Sequence, residues 1–289
     1  MSGHPKPPAW GEEYEARSVR TSPGGKALNQ AVALTRLGTR VTAVGVVGDD
    51  SVGRDILAAL EREGVDAGDI ECRTNVATGV CVVLVSDTGE NAIVWHIDDD
   101  VAVTVPTVHG AAQAMESADA VLITFEMPAR SLQQATCRAS ISQSLVIVQP
   151  APPLIDRSAA RSLPWDLVDV LVSNEAEART LLPSDQEDVP TRQLAGAVSE
   201  ELGVSTAVVT LGASGCVAHS ENTSRHYPAH EVTAVDTTGT GDAFAATFAA
   251  YLAAGGALAS AMTEGQRAAA LAVQREGARE SMPAGSSPG

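Results

Sequence analysis

The sequence predicts an α/β fold in which a central, mostly parallel β-sheet lies between layers of helices and carries a small β-lid. Strand-like runs such as ADAVLITF, SLVIVQP, VDVLVSN and STAVVTLG alternate with helix-like stretches such as SLQQATCRASISQS. Strands that alternate with helices form parallel sheets whose two faces are both covered. The exception is residues 78–97, where two β-rich runs surround DTGEN in a pattern typical of a hairpin.

Start and stop signals delimit several elements. The stretch SVGRDILAALEREG (51–64) predicts a helix with Ser51 as its N-cap and Gly64 as its stop. EVTAV (231–235) predicts a strand, and the Ala-rich run shortly after it predicts a long helix. The Gly-, Pro- and Ser-rich residues 282–289 predict a flexible tail.

Composition restricts the class of protein. The chain has 289 residues, and its 44% apolar content is enough for the core of one large domain, which we place at residues 1–289. Its 19 Lys and Arg against 36 Asp and Glu give a net charge of −17, which argues against nucleic acid and membranes as partners. Four widely spaced cysteines, with neither an apolar leader nor a membrane-length segment, predict a cytoplasmic protein with reduced thiols.

The stretch DTTGTGDAF (236–244) points to phosphoryl transfer. Glycines on both sides of Thr240 allow a sharp turn, which leaves backbone amides free at the N-terminus of the Ala-rich helix. Such amides and the helix dipole stabilise negative charge, and Asp242 in the first turn is placed to accept a proton from an attacking hydroxyl. The short motif is equally compatible with a tight turn that ends in a helix-capping Asp.

A second Gly-rich stretch, PGGKALNQAVALTRLG (23–38), enters another predicted helix. Lys26 and Asn29 lie three residues apart, so both side chains reach one ligand at the start of that helix. Rigidly held donors and acceptors of this kind suit a polyhydroxylated ligand. The alternative is a solvated helix terminus, where Lys and Asn are ordinary residues.

Together the two stretches resemble the signature regions of the ribokinase-like (PfkB) family of carbohydrate kinases, and of its ribokinase branch in particular. NEAE (174–177) is similar to the NxxE element of the family, and TLGASG (210–215) to its nucleotide-binding loop. FEMP (125–128) resembles the segment with a sugar-contacting Glu, and QREGARESMP (274–283) a loop that holds a monovalent cation. The resemblance spans nearly the whole chain from Gly11 and implies a kinase that uses ATP, Mg²⁺ and K⁺.

The resemblance also implies a role for each matched residue. Asp242 matches the catalytic base, and the anion hole is matched by Gly239, Thr240 and Gly241. The residues that match sugar contacts are Gly25, Lys26, Asn29 and Glu126. Those that match the nucleotide and phosphate contacts are Asn174, Glu177, Thr210, Gly212 and Gly215, with Glu177 acting on magnesium through water. The residues that match the potassium loop, chiefly through backbone carbonyls, are Asp236, Thr238, Ala272, Arg275, Gly277 and Ser281.

Two structural expectations follow from the same resemblance. Residues of about 10–22 and 78–97 are similar to a β-lid that closes over the sugar and often forms a homodimer interface. The first apolar core strand of the family, with its sugar-binding Asn-x-Asp element, has no match here. Either the recorded start lies downstream of that strand, or the protein works without it. Thr240 also stands where the family usually has Ala, and Ala246 where Gly is common.

The function expected is ATP-dependent phosphorylation of a primary hydroxyl of ribose or a related pentose. A nucleoside kinase of the same family is the nearest alternative, although the chain has only 3% aromatic residues for a base slot. A second alternative is a non-catalytic sugar- or nucleotide-binding protein that has lost the first strand. For Asn174 and Glu177, helix capping after a strand is a purely structural alternative.

Overall fold

A computed structural model describes residues 10–13, 15–85, 91–154, 156–186 and 188–285. In these ranges the helices are α1 Lys26–Arg36, α2 Ser51–Glu63, α3 Val105–Gly110, α4 Ala112–Glu116, α5 Ala129–Ile141, α6 Arg157–Arg161, α7 Glu175–Leu181, α8 Leu194–Leu202, α9 Thr240–Ala253, α10 Leu258–Ala272 and α11 Ala278–Ser281. The strands are β1 Thr42–Gly48, β2 Asp66–Arg73, β3 Val80–Val85, β4 Asn91–His96, β5 Ala120–Thr124, β6 Leu145–Gln149, β7 Val170–Asn174, β8 Thr206–Thr210, β9 Cys216–Ser220 and β10 Thr223–Tyr227. Among the described helices, none has the length and apolar character needed to cross a bilayer.

The main sheet has six strands in the order β10-β9-β8-β7-β6-β5. β5 to β8 are parallel, whereas β9 and β10 add an antiparallel edge. The register pairs Thr124 with Gln149 and Asn174 with Thr210. The carboxyl ends of these four strands therefore meet at one edge, which is where parallel sheets bind ligands.

Both faces of this sheet are covered, which explains why its strands read as continuous apolar runs. In β7, Leu171 contributes to one core cluster, while its neighbours Val170 and Val172 contribute to another on the opposite face. The second cluster contains Phe244 and Phe248 of α9, whose rings stack with centroids 5.8 Å apart. Because α9 is packed on nearly all sides, its sequence is rich in small apolar residues.

The remaining parallel strands form a separate sheet. β1 and β2 pair with each other but not with β5, so the parallel structure is interrupted between β1 and β5. The described residues before Lys26 contain no strand that could fill this interruption. Instead α1 contacts both β1 and β5, and Val46 of β1 packs against the core cluster that contains Ile123 of β5. Helix packing, rather than backbone pairing, joins the two sheets.

The predicted hairpin is present as β3 and β4, which pair only with each other; its turn, residues 86–90, lies outside the described residues. The described part of residues 10–22 contains no strand, contrary to the expectation that it belongs to a β-lid. Arg20 lies near the C-terminal segment, where it forms an ion pair with Glu276 at 2.5 Å. Among the described residues expected to form a lid, only the hairpin has β-structure.

Three further expectations need correction. Asp50, not Ser51, is the N-cap of α2, because its carboxylate accepts a hydrogen bond from the amide of Gly53 at 2.7 Å. Residues 231–235 form no strand, since they have no neighbouring strand to pair with. The tail does not become flexible at residue 282: Met282 is buried, and its carbonyl accepts a hydrogen bond from Arg36 at 2.6 Å.

Hydrogen exchange should reveal the interruption of the sheet. Amides in β7 and β8, which are paired on both sides, should exchange at least about tenfold more slowly than the average amide in β1 and β5, which have one unpaired edge each. The outer strand β10 serves as a matched edge-strand control. If the amides of β5 exchanged as slowly as those of β7, the free edge of β5 would have to be covered, contrary to this expectation.

Candidate active site

The N-termini of α1 and α9 meet beside the carboxyl end of β5. Gly25 precedes α1 with φ 118° and has no side chain to cap the helix. Glu126, which follows β5, supplies the missing acceptor: its carboxylate oxygens accept from the amides of Lys26 at 3.0 Å and Ala27 at 3.3 Å. The structure thus brings together Gly25, Lys26 and Glu126, as the sequence predicts. It also assigns Glu126 a capping role that the sequence did not indicate.

A buried hydrogen bond joins the two helices. Asn29 of α1 donates through Nδ2 to Oδ2 of Asp242 in α9 at 2.8 Å, and the two side chains are 5% and 4% exposed. Oδ1 of Asp242 and Oδ1 of Asn29 are buried and have no hydrogen-bond partner within the described part of the chain. Native proteins seldom leave buried polar atoms unpaired, so these two acceptors mark a place for a ligand donor.

Burial raises the pKa of the Asp242 carboxyl to about 6, because a charged carboxylate is poorly stabilised away from water. The positive charge of Lys26 and the hydrogen bond from Asn29 act in the opposite direction, while the negative charge of Glu126 adds to the rise. A carboxylate with this pKa is ionised at neutral pH yet more basic than an exposed one. It can therefore serve as a general base.

The Gly239–Thr240–Gly241 turn lies at the N-terminus of α9, as predicted. Gly239 has φ 77°, and a Cβ on it would lie 2.9 Å from Cε of Met282 and 3.0 Å from Cα of Ala278, so both conformation and space require glycine. The amide of Thr240 is not free as expected, because it donates to the carbonyl of Thr237 at 3.3 Å. This bond is long, and an anionic oxygen is a stronger acceptor than a carbonyl.

Asn174 and Glu177 form a capping box at the start of α7. Oδ1 of Asn174 accepts from the amide of Glu177 at 2.8 Å, and Oε2 of Glu177 accepts from the amide of Asn174 at 2.9 Å. Helix capping, the structural alternative for Asn174 and Glu177, is therefore present in the structure. Burial raises the pKa of Glu177, and the charge of Lys26 partly offsets this rise. Lys26 thus acts electrostatically on both Glu177 and Asp242.

The TLGASG loop follows β8, next to Asn174 in the sheet register. Its backbone folds tightly. The amide of Leu211 donates to the carbonyl of Gly215 at 2.7 Å, and the amide of Gly215 donates to the carbonyl of Gly212 at 3.0 Å. Gly212 and Gly215 have φ 56° and 90°, a region that other residues rarely occupy. Thr210, Gly212 and Gly215 therefore lie at the same sheet edge as Asn174.

The residues expected to hold potassium come from two segments that contact each other. The carboxylate of Asp236 accepts from the amides of Thr238 and Gly277, both at 2.9 Å. The amide of Arg275 donates to the carbonyl of Ala272 at 3.0 Å, and Ala272 and Ser281 are fully buried. No group of three or more His, Cys, Asp or Glu with metal-ligand geometry occurs in the described ranges.

Sequence reasoning missed one buried polar pair. Gln30 of α1 donates through Nε2 to Oε1 of Gln149, the last residue of β6. The two side chains are 3% and 8% exposed. Gln149 ends its strand at the sheet edge already marked by Glu126, Asn174 and Thr210, so the rule that ligands bind at strand ends could have identified it.

Comparison with known proteins identifies the family. The profile of the pfkB family carbohydrate kinases matches residues 7–285. The ribokinase of Bacillus subtilis is 34% identical over 284 residues, covering 96% of this chain and 90% of that protein. The crystal structure of Thermotoga maritima ribokinase superposes with a TM-score of 0.81 at 28% identity, covering 96% of this chain and 89% of that one.

A solved complex adds information on ligands. The structure of Arabidopsis thaliana ribokinase complexed with ribose and ATP has a TM-score of 0.77 and 27% identity, covering 96% of this chain and 90% of that one. The predicted resemblance and the predicted α/β fold with a mostly parallel central sheet are both confirmed. This chain belongs to the pfkB family of carbohydrate kinases and is an ATP-dependent kinase.

Proposed function

We propose that this protein transfers the γ-phosphoryl group of ATP to a primary hydroxyl of ribose or a related pentose, with Asp242 as the general base. The observation that carries the proposal is the buried Asp242 carboxylate at the N-terminus of α9, held by Asn29 with a pKa of about 6. The ribokinase relatives and the ribose–ATP complex of the Arabidopsis protein support the choice of acceptor.

Asp242 acts through the oxygen that Asn29 leaves available. Oδ2 is engaged by Asn29, whereas Oδ1 has no hydrogen-bond partner in the described residues. An acceptor hydroxyl that donates to Oδ1 satisfies this buried atom. Its proton passes to the carboxylate as the hydroxyl oxygen bonds to the γ-phosphorus of ATP, and the bond between that phosphorus and the bridging oxygen breaks to release ADP. Positioning and electrostatic stabilisation supply most of the rate in reactions of this class.

Negative charge on the transferring group is stabilised from two directions. The positive end of α9 and the amides of Gly239 and Gly241 would face one side, joined by the amide of Thr240 when it exchanges its long bond to Thr237 for the anion. Lys26 supplies a full positive charge close enough to act on both Asp242 and Glu177. Together they counter the strongly negative net charge of −17 at the proposed phosphoryl site.

The sugar would bind beside Gly25, Lys26, Asn29 and Glu126. Glu126 already accepts from two backbone amides, and the remaining lone pairs of its carboxylate suit sugar hydroxyls. Oδ1 of Asn29 is a second buried acceptor without a partner in the described residues. Two acceptors of this kind select for neighbouring hydroxyl groups, which favours a pentose over a less hydroxylated compound.

The nucleotide would lie along the edge formed by Thr210, Gly212 and Gly215, with Asn174 and Glu177 beside its phosphates. Glu177 fits a Mg²⁺ that keeps most of its water, because it is a buried carboxylate at this edge and Mg²⁺ with a nucleotide seldom needs an all-protein cage. When bound, Mg²⁺ would neutralise charge on the phosphates. K⁺ would bind to carbonyls of the loop that Asp236 and Gly277 hold together.

The hairpin β3–β4 would cover the sugar and pair two copies of the chain. Its apolar side chains are exposed, including Val82 at 59%, Val94 at 69% and Trp95 at 49%. A two-stranded hairpin is only marginally stable by itself, and an exposed apolar patch usually marks an interface. A homodimer through the hairpin would bury this patch. The cytoplasm, where ATP and reduced thiols coexist, is the compartment that suits this activity.

Replacing Asp242 with Asn should abolish turnover and stabilise the fold. We expect ADP release to fall by about 10³-fold or more, because Asn cannot accept the proton, while ATP still binds. The unfolded chain loses the Asp242 proton near pH 4, whereas the folded chain keeps it to about pH 6. The wild-type chain therefore loses unfolding free energy as the pH rises through this interval. At pH 8 the variant should therefore gain up to about 3 kcal/mol in unfolding free energy.

The measurements are coupled ADP release with a panel of pentoses, hexoses and nucleosides, and denaturant unfolding at pH 8. If the wild-type chain releases ADP with a nucleoside as acceptor but with no pentose, the result would select the nucleoside-kinase alternative. Thermal stabilisation by ligands without any turnover would instead favour the non-catalytic alternative.

Activity should follow the ionisation of Asp242. The kcat/KM of the acceptor should fall about tenfold per pH unit below a midpoint near pH 6, because only the ionised carboxylate accepts a proton. A pH–rate profile between pH 4.5 and 8.5, at saturating ATP, measures this midpoint. A midpoint near pH 4 would show that the base titrates as an exposed carboxyl and would contradict the proposed burial effect.

The dimer should depend on the hairpin. Val94→Glu places a charge in the exposed patch and should convert the dimer into monomers without unfolding the chain. Ile141→Glu is the matched control, since Ile141 is 72% exposed at the end of α5, away from the hairpin. Light scattering after gel filtration gives the mass of each variant. A monomeric wild-type chain at high concentration would refute the proposed interface.

A further inference from the structure

Two buried glutamines lie beside the candidate base and have no part in the proposed transfer. Gln30 directly follows Asn29 in α1, and Gln149 ends β6. Both are almost inaccessible, and Nε2 of Gln30 donates to Oε1 of Gln149. Burying two amides is unfavourable unless their groups are paired, so a pair in this position fixes the relative placement of α1 and β6.

Gln149 also borders the turn that precedes Asp242. A Cβ on Gly241 would lie 3.6 Å from Nε2 of Gln149, which is ordinary contact distance. Oε1 of Gln149 therefore bonds to α1, while its Nε2 lies on the side of Gly241 where a side chain would stand. Gln149 is thus a residue of β6 that lies next to the first turns of both helices.

We propose that Gln149 is a positioning residue for the phosphoryl-transfer reaction: by accepting from Gln30, it holds the first turns of α1 and α9 where Asn29 can hydrogen-bond to Asp242. The proposal rests on the proposed role of Asp242 as the base and adds a residue to the machinery around it. Gln149 does not touch Asp242 itself, so its effect must pass through Gln30 and Asn29.

The pKa of Asp242 reports on the placement of the groups that face it. Lys26, Asn29 and Gln30 face it from α1, and Glu126 faces it from the turn after β5. The amides of Asn29 and Gln30 favour the ionised carboxylate, Gln30 making the smallest contribution. Gln149 is neutral, so replacing it changes the titration of Asp242 only by releasing the amide of Gln30. Loss of an ordered donor destabilises the ionised form.

The test is Gln149→Leu, with Gln149→Met as a second variant that keeps the side-chain length if the first fails to fold. We expect kcat to fall about tenfold with the KM for ATP unchanged, since misplacement of a base weakens catalysis but not nucleotide binding. The acid midpoint of kcat/KM should rise, and only slightly, because the amide of Gln30 makes the smallest contribution to the pKa of Asp242. A carbon-13 NMR titration of Asp242, assigned by its loss in Asp242→Asn, should show the same rise.

A double-mutant cycle distinguishes action through Gln30 from a direct effect. If Gln149 acts through Gln30, then Gln30→Leu and the double variant Gln30→Leu/Gln149→Leu should have the same acid midpoint of kcat/KM. Their kcat values should also agree within about twofold. Additive shifts in the double variant would overturn the proposal, because each residue would then act independently.

Gln266→Leu is the matched control. Gln266 is a partly buried glutamine whose Nε2 donates to the sulfur of Cys216 and the carbonyl of Tyr227, both at 2.8 Å. Its replacement should lower thermal stability and leave the titration of Asp242 unchanged. An unchanged Asp242 titration and unchanged kcat in a folded Gln149→Leu or Gln149→Met variant would overturn the proposal. An inactive wild-type chain would refute the proposed function. The NMR titration needs no turnover, so it would still test whether Gln149 positions the groups around Asp242.

Discussion

The contact between α1 and the first half of α9 is the constraint on which the rest of the structure depends. Ala31 and Val32 of α1 share a core cluster with Ala243 and Ala246 of α9, so small side chains let the two helices approach closely. This approach brings Asn29 within 2.8 Å of Asp242. It also makes two helix N-termini converge, and with them the backbone amides and dipoles that suit a phosphoryl group.

The same helix compensates for the interrupted sheet. Backbone pairing is the usual means by which parallel strands are held side by side, yet β1 and β5 have none between them. α1 packs on both, and Arg36 at its end forms a two-point ion pair with Glu63 of α2 and bonds to carbonyls of the C-terminal segment. The residues that hold the two sheets together therefore lie on the same helix as Lys26 and Asn29 of the candidate site.

Electrostatics at the site oppose stability. Asp242 and Glu177 are buried carboxylates whose pKa values are raised by desolvation, which is unfavourable for the folded state at neutral pH. Lys26 is the nearby positive charge that offsets both. Carboxylates in this condition are typical of sites where chemistry needs a base stronger than an exposed Asp. The amide of Asn29 limits this cost at Asp242, and the backbone amide of Asn174 limits it at Glu177.

The sequence by itself determined the fold class, the family and the residues at the ends of the parallel strands, because these depend on local periodicity and on motifs of a few neighbouring residues. It did not determine that Glu126 caps α1 or that Gln149 contacts Gln30, since these contacts join residues distant in the chain. Nor did it determine that the amide of Thr240 is engaged by Thr237, because that bond depends on the conformation of the turn. EVTAV was apolar enough for a strand, but a strand needs a neighbour to pair with, and only the tertiary structure decides whether one is present. The pKa of Asp242 was likewise beyond the sequence, because burial is a property of the whole packed core.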